Sequence, residues 1–388
     1  MESNKQIYLD YHATTPVDPR VAEKVLALMT TQFGNASSVD HAVGDRARAA
    51  LDQAKQAIAD LIHCRSQEIT FTSGATESLN LAIQGTVLAL EKQQKIPRIA
   101  ISAVEHKAVL DTCYHLEKQG RIELITLPVD AQANLNLNEI EEVCHQGLDL
   151  LCVMAANNEV GTIYPIESIA AIAKRYSVPF LCDASQAIGK IPINFQDWGI
   201  TLLAMSGHKL YAPQGIGALI RKSNHRLEPL FLGGGQQQGL RPGTLNLPGI
   251  VGLGEACRLR QLEMEVDETA IAQKRNYLQT RLQTVIPEII VNGNQSQRLA
   301  GNLHIAIPDI PNSAIIARIR EQIAISTGSA CSSGTITPSH VLRAMNLPDN
   351  FMDGALRIGI GKFTTDADIE QAADILAKVI QAVQISWN

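Results

Sequence analysis

With 388 residues, 45% of them hydrophobic and 19% charged, the chain has ordinary globular composition and exceeds the length at which one core usually splits, so two domains are expected. A net charge of −6 and a pI near 5.9 give no basic footprint for nucleic acid or an anionic membrane surface. No apolar run is long enough to span a bilayer and no basic segment precedes an apolar core at the N-terminus, so a cytoplasmic protein, or a stromal one, is expected.

In chain order, strand-like apolar runs alternate with longer helix-like stretches at the rhythm of βα units, which predicts an α/β fold with a mostly parallel sheet and helices on its faces. Residues 68–71 lead through Thr72-Ser73-Gly74-Ala75-Thr76-Glu77 into a helical stretch ending near Ala89, and 98–102 lead through Glu105-His106 into a second helix. Further strands are expected at 122–127, 148–155, 178–182, 200–205 and 216–220. After about Cys257 the texture changes to a polar helical stretch at 266–283, then strands at 303–307, 323–326 and 356–360, the pattern of a smaller α+β domain. The seven cysteines are scattered and never spaced as CxxC, so neither a disulfide framework nor a zinc module is indicated.

Two of the expected strands stop abruptly at functional groups. One ends in Asp183-Ala184-Ser185-Gln186 and the other in Ser206-Gly207-His208-Lys209. A lysine amine forms Schiff bases and the pyridinium nitrogen of pyridoxal 5'-phosphate (PLP) needs a carboxylate partner, so Lys209 with Asp183 points to a PLP site. The 72–77 turn offers hydroxyls and free N–H groups to a phosphate at a helix N-terminus, although a simple helix cap accounts for it as well. No Walker A sequence or complete dinucleotide fingerprint competes with it. Thr76, His106, Asn157, Asp183 and Lys209 all follow predicted strands, and open α/β sheets bind ligands beyond the carboxyl ends of their strands. Cys331 sits in the small, polar run Ser326–Gly334, which suits an exposed loop and a reactive thiol once activated. Arg357 interrupts an apolar strand, where its fork could clamp a carboxylate or form a buried ion pair.

The ordered set of motifs resembles the cysteine desulfurases of the NifS/IscS-like family, in the class-V aminotransferase group. It runs through Tyr8–Pro16, Phe71–Ser78, Glu105-His106-Lys107, Asn157–Gly161, Asp183–Gln186, Ser206–Lys209, Arg241–Thr244, Gly328–Cys331 and Leu356–Ile358. The resemblance implies PLP fold type I built as a homodimer, with 16–257 as the large PLP-binding domain, and 1–15 with 258–388 as the small domain carrying the cysteine loop. It implies that Lys209 holds PLP as a Schiff base, Asp183 pairs with its ring nitrogen and His106 stacks on the ring. Gln186 and Asn157 would then lie near the phenolic oxygen, with Ala75, Thr76, Ser206 and His208 at the phosphate and Thr244 reaching it from the partner subunit. Arg357, Asn157 and Asn35 would bind the substrate carboxylate, and Cys331 would be the nucleophile.

The implied reaction converts L-cysteine to L-alanine, leaving a persulfide on Cys331 for an iron–sulfur scaffold or another sulfur-acceptor protein. A transaminase or selenocysteine lyase would use the same lysine without needing Cys331, and a non-enzymatic sulfur carrier would need Cys331 without the lysine. His12 stands where relatives often have asparagine or serine, and Ala36 where they often have proline. The chain also stops at Asn388 without the longer tail that IscS-like relatives use to contact a scaffold, which leaves the acceptor open.

Overall fold

The computed structural model of the chain describes residues 6–327 and 339–387. The strands are β1 (Ile7–Tyr8), β2 (Ile69–Thr72), β3 (Arg98–Ser102), β4 (Glu123–Leu127), β5 (Leu150–Cys152), β6 (Phe180–Asp183), β7 (Leu202–Ser206), β8 (Gly217–Arg221), β9 (Ile290–Val291), β10 (Asn302–Ala306), β11 (Ile323–Ala324) and β12 (Ala355–Gly359). Seven of them form one sheet in the order β2-β8-β7-β6-β5-β3-β4. Only β8 runs antiparallel to its neighbours, so the carboxyl ends of the other six lie along one edge.

The apolar runs of β5, β6 and β7 explain why this sheet is covered on both sides, since alternate residues of a strand point to opposite faces. Leu151, Cys182 and Leu203 enter one core cluster, while their neighbours Leu150, Leu181 and Leu202 enter another. The helices Ala75–Glu91 and Lys107–Lys118 supply Leu79, Ile83, Val109 and Cys113 to the second of these clusters. The helices Ala42–Ile62, Ile166–Arg175 and Leu247–Val285 supply Ile58, Ile169 and Leu253 to the first.

A separate core is built on the three-stranded sheet β12-β10-β9, from Leu303, Ile305, Leu356 and Ile358 with Leu376 and Ile380 of the helix Asp366–Trp387. Ile7 and Leu9 belong to this second core: β1 pairs in parallel with β11, and Asp10 bridges to Gly359. The N-terminal arm thus runs beside Arg357 and on toward the large sheet.

Two expectations change. The 266–283 helix is the second half of one 39-residue helix, Leu247–Val285, and position 257 falls inside it. With no glycine or proline between 255 and 285, nothing in that stretch breaks the hydrogen-bonded ladder. Its Ile250 and Leu253 serve the first core and its Leu278 and Leu282 serve the separate one. The expected strand at 148–155 is regular only over β5, but Val153 and Ala155 still donate to the carbonyls of Leu181 and Asp183, carrying the chain to the edge where the Asn157 turn begins. The two-residue strands β1 and β9 were too short to leave a periodic signal.

Candidate active site

A cavity of about 590 Å³ opens at the carboxyl edge of the large sheet. Asp183 ends β6, Ser206 ends β7, and His208 and Lys209 occupy the single 3-10 turn that follows. Gly217, which opens β8, pairs with both Thr72 and Ser206. A Cβ at Gly217 would lie 2.6 Å from the Met205 carbonyl and 2.7 Å from the Cα of Gly74, so only glycine lets the 73–74 turn close down here. That turn delivers the start of the helix Ala75–Glu91 to the cavity with no side chain capping it; Ala75 and Thr76 both line the wall. The uncapped N–H groups and the positive end of the helix dipole suit a phosphate.

The Lys209 amine donates to the backbone carbonyls of His12 and Ala13, the latter at 2.6 Å. Burial, reinforced by the positive charges of Lys190 and Arg357, pushes its pKa down to about 7, so a large neutral fraction exists near neutrality. His208 is pushed down to about 4, first by burial and then by Lys209, and its Nδ1 lies 3.0 Å from the Thr14 hydroxyl. Asp183 Oδ1 accepts from the backbone N–H of Ser185 at 3.0 Å and from its hydroxyl, which fixes the carboxylate against the cavity. His106 caps the helix Lys107–Lys118 by accepting from Ala108 N–H through Nδ1 at 3.1 Å. The neutral ring therefore carries its proton on Nε2. This histidine both caps its helix and lines the cavity.

At the other end Arg357, on β12, donates from one terminal nitrogen to the Asn158 carbonyl at 3.1 Å and from the other to Asp10 Oδ1 at 3.1 Å. Its Nε–H is buried and has no hydrogen-bond partner among the described residues. Burial pushes the Asp10 carboxyl above its ordinary range despite the opposing pull of Arg357.

Of the residues expected from sequence, Ala75, Thr76, His106, Asp183, Gln186, Ser206, His208, Lys209 and Arg357 line this one cavity. Asn157 does not. Its side chain is 0% exposed; it donates to the Val104 carbonyl and accepts from the N–H groups of Glu159 and Val160, so the first asparagine of the pair builds the turn. Asn158, its neighbour, is the one that lines the wall. Asn35 and Thr244 are exposed and lie outside the lining of their own chain's cavity. Cys331 lies outside the described residues. Sequence reasoning assigned no role to Asp10, although it stands in the Tyr8–Pro16 motif, nor to Ser185.

The aminotransferase class-V family profile matches residues 7–372. The cysteine desulfurase IscS of Shewanella oneidensis is 41% identical over 382 residues, covering 97% of this chain and 93% of that protein. The mitochondrial cysteine desulfurase of Arabidopsis thaliana is 38% identical, covering 98% and 84% respectively. A solved NifS-like protein superposes with a TM-score of 0.90 at 31% identity, covering 97% of this chain and 99% of its own. SspA in complex with cysteine superposes at 0.80 with 34% identity, covering 93% and 100%. The family depends on PLP, and the cavity fits that cofactor: it offers an amine of lowered pKa, a fixed carboxylate, a histidine of defined tautomer and an uncapped helix end. On this similarity along nearly its whole length, the chain belongs to the aminotransferase class-V family, among the cysteine desulfurases of PLP fold type I.

Proposed function

We propose that this enzyme converts L-cysteine to L-alanine and holds the released sulfur as a persulfide on Cys331. The observation that carries the reading is one cavity with a near-neutral amine at one end and, at the other, a buried guanidinium with one donor that lacks a partner among the described residues. Such a site suits an amino acid held by its carboxylate while its Cα proton is removed.

Bound PLP supplies an electron sink for bond breaking at Cα and beyond. Lys209 would be its attachment point, Asp183 would pair with its ring nitrogen and His106 would lie against its ring. Ala75, Thr76, Ser206 and His208 would receive the phosphate, and Gln186 and Asn158 would take the phenolic side; Asn158 here replaces Asn157, whose side chain is spent on the Val104 carbonyl and its own turn. Lys209, largely able to be neutral at pH 7, takes the Cα proton. Arg357 receives the substrate carboxylate, which enters beside the existing Asp10 pair. The Cys331 thiolate then attacks the substrate sulfur. A sulfur–sulfur bond forms, the carbon–sulfur bond breaks with its electron pair left on the substrate carbon, and protonation of that carbon gives alanine. His106, with its proton on Nε2, serves the thiols as a proton carrier.

Residues 16–257 act as the cofactor-binding body, and 1–15 with 258–388 as the smaller body that brings Cys331 to it. The protein works in the cytoplasm as a homodimer, passing sulfur to an iron–sulfur scaffold or another acceptor protein. The exposure of Thr244, outside the lining of its own chain's cavity, supports its serving the partner's cavity. No helix among the described residues is long and apolar enough to cross a membrane.

The test is incubation of the PLP-loaded protein with L-cysteine, measuring alanine and intact mass together. Alanine should accumulate as the protein gains one sulfur atom. Cys331→Ala should keep the cofactor spectrum and its response to cysteine, yet form neither product; normal desulfuration by that variant would rule out the nucleophile. For the dimer, Lys209→Ala and Thr244→Ala chains are mixed and re-associated. If Thr244 serves the partner's site, one site per mixed dimer is restored and activity exceeds that of either homodimer.

A further inference from the structure

Beneath the amine end lies a partly buried cation that the chemistry above leaves unused. Lys190 donates to Gln186 Oε1 at 3.2 Å, and among the described residues it has no carboxylate within contact distance. Gln186 turns its other end upward. Its Nε2 donates to the His12 carbonyl at 3.0 Å, and its Oε1 lies 3.3 Å from His12 Nδ1. The His12 carbonyl is one of the two that receive the Lys209 amine. A continuous path therefore joins Lys190 to Lys209 through Gln186 and the backbone of the N-terminal arm.

The turn holding Lys190 is built for that placement. Arg260, 1% exposed, donates from Nε to the Gly189 carbonyl at 2.7 Å, while its terminal nitrogens bind Asp267 and, at 2.8 Å, Glu268. Gly189 has a φ of +72°, and a Cβ there would come within 2.9 Å of Arg260 Cγ, so both the backbone and the packing demand glycine. Burial pushes the Lys190 ammonium down, and Glu268 is the main charge opposing that shift. Keeping a cation here is costly unless it does something nearby.

We propose that Lys190 is a positioning residue of the active site: by occupying Gln186 Oε1 from below, it commits the Gln186 amide to the His12 carbonyl and holds a positive charge behind the Lys209 amine. Were the glutamine free to flip, its oxygen would face the His12 carbonyl and the contact would become repulsive. The titratable and charged groups facing Lys209 come from three places. Lys190, Asp183 and His208 stand at the large-sheet edge, Asp10 and His12 on the N-terminal arm, and Arg357 on β12. Lys190 is the largest charge contribution keeping the amine unprotonated, ahead of Arg357, with Asp10 and Asp183 opposing.

This assignment rests on the reading of Lys209 as the activated amine, and its test separates the two. In the cofactor-free full-length chain, the pH dependence of Lys209 acetylation by trace acetic anhydride is followed by peptide mapping. Wild type should show a midpoint well below that of surface lysines. Lys190→Met should move the midpoint upward, lowering the neutral fraction of Lys209 at pH 7 roughly fivefold. Lys190→Arg should restore it, since it keeps both donor and charge. Lys190→Gln keeps a donor without the charge and should fall between; it carries the test if the Met variant does not fold. In the PLP-loaded protein the pH-dependent change of the visible band should move in the same order. An ordinary lysine midpoint in wild type would overturn the activated-amine reading itself. A low wild-type midpoint that Lys190→Met and Lys190→Gln leave in place would overturn the role of Lys190 alone.

Discussion

The two ends of the cavity are assembled in different ways. Asp183, Lys209 and His106 each stand at or just past the end of a strand in the large sheet; Ser185 orients Asp183 and Ala108 orients His106 from close by in sequence, while the Lys209 amine is held by the His12 and Ala13 carbonyls of the N-terminal arm. The Arg357 end draws instead on β12, on Asp10 from the N-terminal arm and on the Asn158 turn, joined by contacts 347 and 199 residues apart in sequence. The amine end is built on one sheet edge and meets the N-terminal arm through the Lys209 and Gln186 hydrogen bonds. The guanidinium end exists only when the separate core has docked, so a change in that docking should reach substrate binding before it reaches the cofactor.

Removing the amine tests this contrast most severely. Lys209→Ala should lower turnover by about a thousandfold or more, and borohydride reduction should no longer fix PLP to the chain; attachment to another lysine would break the assignment. Arg357→Ala should leave the cofactor spectrum in place while raising KM for cysteine and lowering kcat/KM on the order of tenfold to a hundredfold. A lost cofactor band in that variant would show that the two ends are not separable.

Asp10→Asn probes the coupling between the ends. Asp10 raises the proton affinity of Lys209, so its neutralisation should lower the pKa of the amine further and carry the acid limb of the pH–rate profile to lower pH, by a few-fold in rate at the midpoint of that limb. A limb that moves to higher pH would mean that release of Arg357 dominates.

The smallest effect concerns stability. Glu105, beside His106, is wholly buried, and burial raises its carboxyl from 4.5 to about 8 although Ser102 and the Met154 N–H donate to it. A folded-state pKa above the unfolded value gives stability that is full below about pH 4.5 and is lost as pH rises through about 8. Glu105→Gln should flatten the dependence of the urea midpoint between pH 6 and 9; an unchanged slope would assign it to other groups.

The seven strands of the large sheet were legible because most are apolar runs ending in polar turns, and that rhythm also located Lys209, Asp183 and His106. Which of two adjacent asparagines faces the cavity was not legible, since Asn157 and Asn158 are chemically identical and only the turn's hydrogen bonds separate them. Asp10 was hidden for the opposite reason: its partner is far along the chain, and nothing local to Tyr8–Pro16 points to Arg357. The long helix was underestimated because its two halves bury different faces into different cores, which weakens any single periodic stripe.

That helix has a mechanical meaning. At 39 residues it is a rod about 58 Å long, anchored in the main hydrophobic mass at one end and in the separate one at the other. The two masses are therefore mounted on a common axle, not strung on a flexible tether. Motion that widens or narrows the cleft must flex or rotate this rod, and because Arg260 sits on it, gripping the Gly189 turn, such torque passes directly beneath Lys190 and the amine above it.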